Sequence, residues 1–243
     1  MILITRPKAQ SKGLKLLLLS KGYKTFQESF YSIKYYNSKI FYNKNYYYIF
    51  PSIHAVQSLV KSKQIYKFKD ARIFVIGKKV KEALLKSGCN NILVTVKDSD
   101  SLIKVLQTSK YCEAKFFYIS SNIINKDFFA KIKKYKIYIK KRIIYKTIPA
   151  KSFTKTLLIS LSLNKIAGVT FYSRLSVDTF LNLLVKYKML SNVKTINMYC
   201  ISKRVAKPLK QKNFKHIYIA EKPNQTALVS SIKKRHYNKI KYI

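Results

Sequence analysis

One stretch of this chain occurs twice. Ile76-Gly-Lys-Lys-Val-Lys-Glu-Ala-Leu-Leu-Lys-Ser-Gly-Cys-Asn-Asn-Ile92 lies over Ile201-Ser-Lys-Arg-Val-Ala-Lys-Pro-Leu-Lys-Gln-Lys-Asn-Phe-Lys-His-Ile217 without a gap. Each copy reads as a strand end, an amphipathic helix, a turn and the next strand. Flanking matches extend the repeat. Phe50-Pro-Ser-Ile-His-Ala-Val56 overlays Phe171-Tyr-Ser-Arg-Leu-Ser-Val177, setting Ser52 against Ser173 and Val56 against Val177. Leu102, Ile103 and Leu106 overlay Leu228, Val229 and Ile232, and Ile2-Leu-Ile-Thr5 resembles Phe117-Tyr-Ile-Ser120. Two copies of one α/β unit therefore make up the chain, and 243 residues give each enough chain to bury a core of its own.

The surrounding pattern agrees. Short β-branched or aromatic runs are expected as strands at Ile2–Thr5, Tyr46–Phe50, Arg72–Ile76, Ile92–Thr95, Lys115–Ile119, Gly168–Tyr172, Thr195–Ile201 and Ile217–Ala220. Stretches with apolar residues three and four apart are expected as helices at Pro7–Ser20, Ile53–Lys63, Lys78–Ser87, Ser99–Ser109, Asn125–Tyr135, Arg174–Lys188, Lys203–Lys212 and Asn224–Lys234. This alternation is that of parallel sheets with helices on both faces. Phe26–Tyr36 and Lys140–Pro149 fall outside the repeat and are extended in character. If both cross between domains, the fold is two similar small α/β domains with parallel sheets flanked by helices, joined by a two-stranded β-ladder linker, the second domain inserted into the first. The expected bounds are 1–30 plus 150–243 for the first domain, 38–139 for the second, and 31–37 with 140–149 for the linker strands.

Charge narrows the function less than its size suggests. With 50 Lys+Arg against 9 Asp+Glu the net charge is +41, which points to nucleic acid, a membrane surface or a polyanionic ligand. Only Arg6, Arg72, Arg142, Arg174, Arg204 and Arg235 are arginine, whereas bidentate phosphate recognition favours that residue. The lysines are spread along the whole chain, with many Tyr, Ile and Asn and few Gly and Pro, the bias expected when codons are pulled toward A and T. No Gly-rich phosphate loop occurs, and the basic run Lys131 to Lys146 reads as a solvated helix end and strand. No apolar run reaches the 18 residues of a membrane span. Met1-Ile-Leu-Ile-Thr-Arg-Pro7 enters a strand directly, so no export signal is expected and the compartment reads as cytoplasmic. Cys89, Cys112 and Cys200 are widely spaced, and His54, His216 and His236 do not flank them in a metal-ligand pattern, so the thiols read as reduced and no metal site is expected.

Ile2-Leu-Ile-Thr-Arg-Pro7, Phe50-Pro-Ser-Ile-His-Ala-Val56, Val75-Ile-Gly-Lys-Lys-Val-Lys-Glu-Ala-Leu84 with Gly88, Ile144-Tyr-Lys-Thr147, Phe171-Tyr-Ser173, and Ala220 with Pro223 and Leu228 resemble uroporphyrinogen-III synthase. The resemblance covers nearly the whole chain in order. It implies two α/β domains with an active site in the cleft between them, and an enzyme that closes linear hydroxymethylbilane into uroporphyrinogen III in haem biosynthesis. The last pyrrole ring is inverted, water is released, and no metal or cofactor is used. The substrate is a linear tetrapyrrole octacarboxylate, with transient handover from the preceding deaminase, and the protein is expected to be a monomer without nucleic-acid or membrane partners.

By that resemblance Tyr145 is the catalytic candidate, a phenol that assists departure of the ring A hydroxyl. Ser52 and Ser173 sit where a strand hands over to a helix, and a serine there caps the helix while neighbouring N–H groups point outward. His54 and Arg174 beside them, Arg6 in the Thr-Arg-Pro match, and Ser202 with Lys203 complete the substrate-binding candidates. Val80 and Val205 stand where the family usually carries threonine, and Ser202 stands where the first copy has Gly77. These departures keep a catalytically impaired synthase remnant open as an alternative, beside a basic nucleic-acid-associated α/β protein.

Overall fold

The computed structural model describes residues 1–37 and 39–240, apart from the side chains of Ala9 and of residues 233–240. Ser38 at the expected domain boundary, the side chains of Lys233 and Lys234 in the last expected helix, and that of His236 lie outside the described residues.

In chain order the elements are β1 (Ile2–Ile4), α1 (Lys8–Leu19), β2 (Thr25–Gln27), β3 (Tyr31–Tyr35), β4 (Tyr46–Phe50), α2 (Ile53–Lys61), β5 (Arg72–Ile76), α3 (Lys78–Lys86), β6 (Ile92–Val96), α4 (Ser99–Leu106), β7 (Lys115–Ser121), α5 (Lys126–Lys134), β8 (Ile139–Pro149), α6 (Lys155–Ser162), β9 (Gly168–Phe171), α7 (Arg174–Lys186), β10 (Asn197–Cys200), α8 (Lys203–Gln211), β11 (Ile217–Ile219) and α9 (Gln225–Ile240). They gather into two compact units, Met1–Ser32 with Ile148–Ile243, and Ile33–Thr147. The chain passes between the units within β3 and within β8.

The first unit holds a five-stranded sheet in the order β11-β10-β9-β1-β2, each pairing parallel. Strand alternation sorts its side chains into two cores. Leu3, Val169, Phe171, Met198 and Cys200 pack with Leu157, Leu161, Val177, Phe180, Leu184 and Leu209. Ile2, Ile4 and Tyr199 point to the other face, against Leu14, Leu18, Leu228, Val229 and Ile232. Burial on both faces is why these strands read as unbroken apolar runs.

The second unit holds the order β3-β8-β7-β4-β5-β6, with β8 through β6 parallel. Tyr48, Phe50, Ile73 and Val75 meet Ala55, Val56, Leu59 and Leu84 on one face. Ile49, Phe74, Phe116 and Tyr118 meet Leu102, Ile103, Leu106, Phe128 and Ile132 on the other. Tyr36 N–H donates to the Ile144 carbonyl (3.0 Å) and Ala150 N–H to the Phe30 carbonyl (2.9 Å). The chain therefore advances along β3 as it retreats along β8, an antiparallel ladder.

The two sheets share a pattern with a shifted starting point. β9, β10 and β11 occupy the places of β4, β5 and β6, and β1 that of β7. The repeat is thus circularly permuted, with β2 beside β1 as β8 is beside β7. Phe26–Tyr36 and Lys140–Pro149, set outside the repeat by sequence, therefore contribute β2 and β8 to it, because extended segments with no shared residues can fill the same edge. α6 was also not expected. Thr154 caps it, accepting from Leu157 N–H at 3.2 Å, but Ile159 on its exposed side blurs the apolar period.

Local chemistry fixes the helix ends. Ser52, Asp98, Asn125, Thr154, Ser173 and Ser202 cap α2, α4, α5, α6, α7 and α8 through their side chains. The left-handed residue that ends many helices is usually glycine, yet among the described residues five such turns use Lys63, Lys136, Asn164, Lys188 and Asn213, each at φ of 52–56°. A chain with 5 glycines in all spends lysine and asparagine where others spend glycine.

Candidate functional site

Open parallel sheets bind ligands beyond the carboxyl ends of their strands, at the point where strand order reverses. That point lies between β1 and β9 in the first unit and between β4 and β7 in the second.

In the second unit, Ser52 follows β4 and accepts a hydrogen bond from His54 N–H at 3.2 Å. Ser121 ends β7, and its register partner on β8 is Tyr145. The Tyr145 side chain is 5% exposed. Burial pushes its pKa above the ordinary tyrosine value, while interactions with the Ser52 and Ser121 hydroxyls pull in the opposite direction. Burial is the larger cause, so the phenol is a protonated hydrogen-bond donor across the neutral range. The His54 ring lies 5.8 Å from the Tyr145 ring and the Tyr35 ring 6.5 Å from it, centroid to centroid. Tyr35 donates its hydroxyl proton to Gln57 Oε1 (2.8 Å), and its oxygen lies 3.1 Å from His54 Nδ1. His54 Nδ1 also lies 3.1 Å from Gln57 Oε1. Burial, then the neighbouring Tyr145, raises the Tyr35 pKa. The Lys61 ammonium sits 4.4 Å over the Tyr35 ring and adds positive charge to the cluster.

In the first unit, the two strands at the reversal are laced together by hydroxyls. Thr5 Oγ1 donates to the Thr170 carbonyl (2.7 Å), and Thr170 Oγ1 to the Leu3 carbonyl (3.2 Å). Arg6 follows directly, its guanidinium 4.3 Å above the Tyr172 ring and 3.3 Å from Gln10 Oε1. The Tyr172 hydroxyl is buried without a hydrogen-bond partner among the described residues, and burial pushes its pKa up to about 12 against the lowering effect of Arg6. The guanidinium lies over the ring face, so that effect is one of nearby charge more than of a directed bond. Ser173 caps α7 by accepting from Ser176 N–H (3.1 Å). Ser202 caps α8 by accepting from Val205 N–H (3.4 Å), with Lys203 exposed beside it. Arg174 pairs with Asp178 at 3.4 Å, an exposed ion pair of small energetic weight that leaves the guanidinium reachable.

The structure thus brings Tyr145, Ser52 and His54 into one cluster, and sets Arg6 and Ser173 at the ends of the adjacent strands β1 and β9, with Ser202 after β10. Sequence pattern does not single out Ser121, Tyr35, Gln57 or Tyr172. A buried tyrosine among 20 carries no periodic signal, and the contacts that distinguish these residues are made between strands distant in sequence. Val80 and Val205 are buried in the two cores, 5% and 6% exposed, so the methyls replacing threonine hydroxyls are packed rather than turned to solvent. Gly77 begins α3 at φ 98°, a conformation that favours glycine. Ser202 in the second copy is extended at φ −162° and caps through its hydroxyl instead. Burial pushes the thiols of Cys89 and Cys200 up to about 11 and about 12, which makes them poor nucleophiles. Among the described residues no three His, Cys, Asp or Glu side chains gather as a metal site, and no helix is long and apolar enough to cross a membrane.

The family model described as uroporphyrinogen-III synthase HemD matches residues 18–230. A crystal structure of a mutant uroporphyrinogen III synthase from the extremely thermophilic bacterium Thermus thermophilus superposes with a TM-score of 0.65 at 11% identity, covering 98% of each chain. The uroporphyrinogen-III synthetase of Helicobacter pylori superposes with a TM-score of 0.65 at 16% identity, covering 96% of this chain and 98% of its own. At these identities the two structures speak for the fold. Among curated protein sequences no match is found.

Proposed function

This chain belongs to the uroporphyrinogen-III synthase family, a cyclising lyase of tetrapyrrole biosynthesis, and from that premise we propose how its own residues serve the reaction. The observation that carries the proposal is Tyr145, a buried phenol on β8 set opposite Ser121, the residue that ends β7. In closing hydroxymethylbilane, the C–O bond of the terminal hydroxymethyl group breaks and the oxygen departs as water, the proton it takes up being balanced by the one lost from the pyrrole carbon that forms the new C–C bond. A phenol above its ordinary pKa donates a hydrogen bond to that oxygen as negative charge develops on it. It transfers a full proton poorly, so it assists the step without being indispensable to it.

The substrate's carboxylates are held by groups of two kinds. Ser52, Ser173 and Ser202 sit at helix starts, where unpaired N–H groups and the positive dipole end favour anions. Arg6, His54, Arg174 and Lys203 supply side-chain donors. This division leaves no step that calls for a metal or cofactor. We assign the protein to the cytoplasm as a monomer that receives its substrate from the preceding deaminase and has no nucleic-acid partner.

The test couples the purified protein to that deaminase. Formation of the type III isomer is the expected result, and exclusive formation of the spontaneous type I product refutes catalysis and favours an inactive remnant. Tyr145→Phe should lower kcat by about ten- to a hundredfold, at or below the low end of full acid–base catalysis, because the phenol lends a hydrogen bond more than a proton. A kcat equal to that of the unaltered protein removes Tyr145 from the mechanism.

A further inference from the structure

β7 and β8 pair in a constant register from Phe116 with Ile139 to Ser120 with Ile143, and then shift so that Ser121 pairs with Tyr145. Continuing the first register would have placed Ile144 opposite Ser121. One extra residue on β8 has been absorbed, and the inside–outside alternation breaks there. Ile144 and Tyr145 are consecutive yet both pack into the same core, that of Tyr48, Phe50 and Val56. Bulges of this kind re-aim a side chain and cluster beside functional sites.

The irregularity is fixed by specific bonds. The Ile144 carbonyl accepts from the buried Ser58 hydroxyl (2.7 Å) on α2 and from Tyr36 N–H (3.0 Å). Beyond the shift, Thr147 N–H donates to Asn122 Oδ1 at 2.8 Å. The Ser121 hydroxyl is itself immobilised, donating to the Ile123 carbonyl (2.8 Å) and accepting from Ile123 N–H (3.1 Å). With both bonds directed to one backbone residue, its oxygen does not rotate freely, and Ser121 is only 6% exposed.

We infer that Ser121 is a positioning residue for Tyr145: the β8 bulge brings the phenol opposite a hydroxyl held rigid by the Ile123 backbone, and because the Ser121 proton is taken by the Ile123 carbonyl, its oxygen can only accept from the phenol, which holds the phenol oxygen in place until its proton turns to the leaving group. The inference rests on the role proposed for Tyr145. Ser121 acts through the phenol and makes no contact with substrate, so its loss should appear in kcat and not in KM.

The experiment compares Ser121→Ala, Ser121→Thr and Ser121→Val with Tyr145→Phe and with the double variant Ser121→Val/Tyr145→Phe, all on hydroxymethylbilane, with folding checked by thermal melts. Thr restores a hydroxyl and Val matches the shape of Thr without one, so this pair decides the matter even if Ser121→Ala folds poorly. Ser121→Thr should stay within about twofold of the parent kcat, while Ser121→Val and Ser121→Ala fall about fivefold, the scale of one lost hydrogen bond. Adding Ser121→Val to Tyr145→Phe should cost nothing more. Parent-like kcat in Ser121→Val, or an equal loss in both backgrounds, overturns the positioning role. Full activity in Tyr145→Phe is a different result and overturns the Tyr145 reading itself.

Discussion

Removing the Tyr172 hydroxyl should stabilise the protein. The oxygen is buried without a hydrogen-bond partner among the described residues, while the ring stacks under Arg6 and packs against the core of Ile2, Ile4 and Leu228. Tyr172→Phe keeps the ring, and with it most of the packing and the cation–π contact. What it deletes is an unsatisfied polar group, whose burial costs about 1–3 kcal/mol. At pH 8 a gain of about 1 kcal/mol is expected, the low end of that range. The gain should grow with pH. The folded phenol titrates at about 12, above the ordinary value of 10, so its contribution is fully present below about pH 10 and is lost as pH rises toward 12. At pH 11 the unfolded chain releases a proton that the folded chain keeps, a loss of about 1.4 kcal/mol by linkage. Because the side chain is only half-buried, solvent screening trims this to about 1 kcal/mol. The advantage of Tyr172→Phe should therefore roughly double between pH 8 and pH 11. Urea titrations of both proteins at the two pH values, followed by far-UV circular dichroism, measure this on the transition of the unit that carries Tyr172. Destabilisation at pH 8, or an advantage that does not change with pH, would show that the hydroxyl has a partner and refute the argument.

Three further outcomes follow from the same structure. Gly77→Ala should lower stability by about 1 kcal/mol, read as a lower Tm, because a Cβ there meets nothing within 4 Å and the whole cost lies in φ of 98°. Lys188→Gly should raise Tm by an amount equivalent to about 0.5–1 kcal/mol, since a lysine now occupies φ of 55° at the end of α7; an unchanged Tm would mean that unfolded-chain entropy cancels the gain. Added salt should raise KM for the polyanionic substrate while leaving kcat nearly constant, because the +41 charge acts through a screened field; a KM indifferent to ionic strength would confine substrate attraction to short-range contacts.

Much of the architecture was legible because it rests on local chemistry. Apolar period, serine caps and repeated strand–helix junctions placed Ser52, Ser173 and Ser202 at helix starts, and the structure shows each accepting a backbone N–H there. α6 escaped because exposed Ile159 spoils its amphipathic face, and β2 because three residues, Thr25–Gln27, are too short to show alternation. The Tyr145 neighbourhood was legible only in part. Ser52 and His54 lie in a repeated motif, whereas Ser121, Tyr35 and Gln57 reach the cluster from β7, β3 and the exposed face of α2 without a shared pattern.

What the amino-acid sequence determined alone is the unit: a strand–helix alternation with two-faced burial, present twice, since period and capping depend on residues a few positions apart. Tertiary structure decided where that unit begins in each copy and where its side chains aim. Strand order makes the copies circular permutations, because edge strands can be supplied from either end of the chain. The register shift that sets Tyr145 opposite Ser121 is a property of two paired strands, fixed by hydrogen bonds from Ser58 and Tyr36 that neither strand specifies by itself.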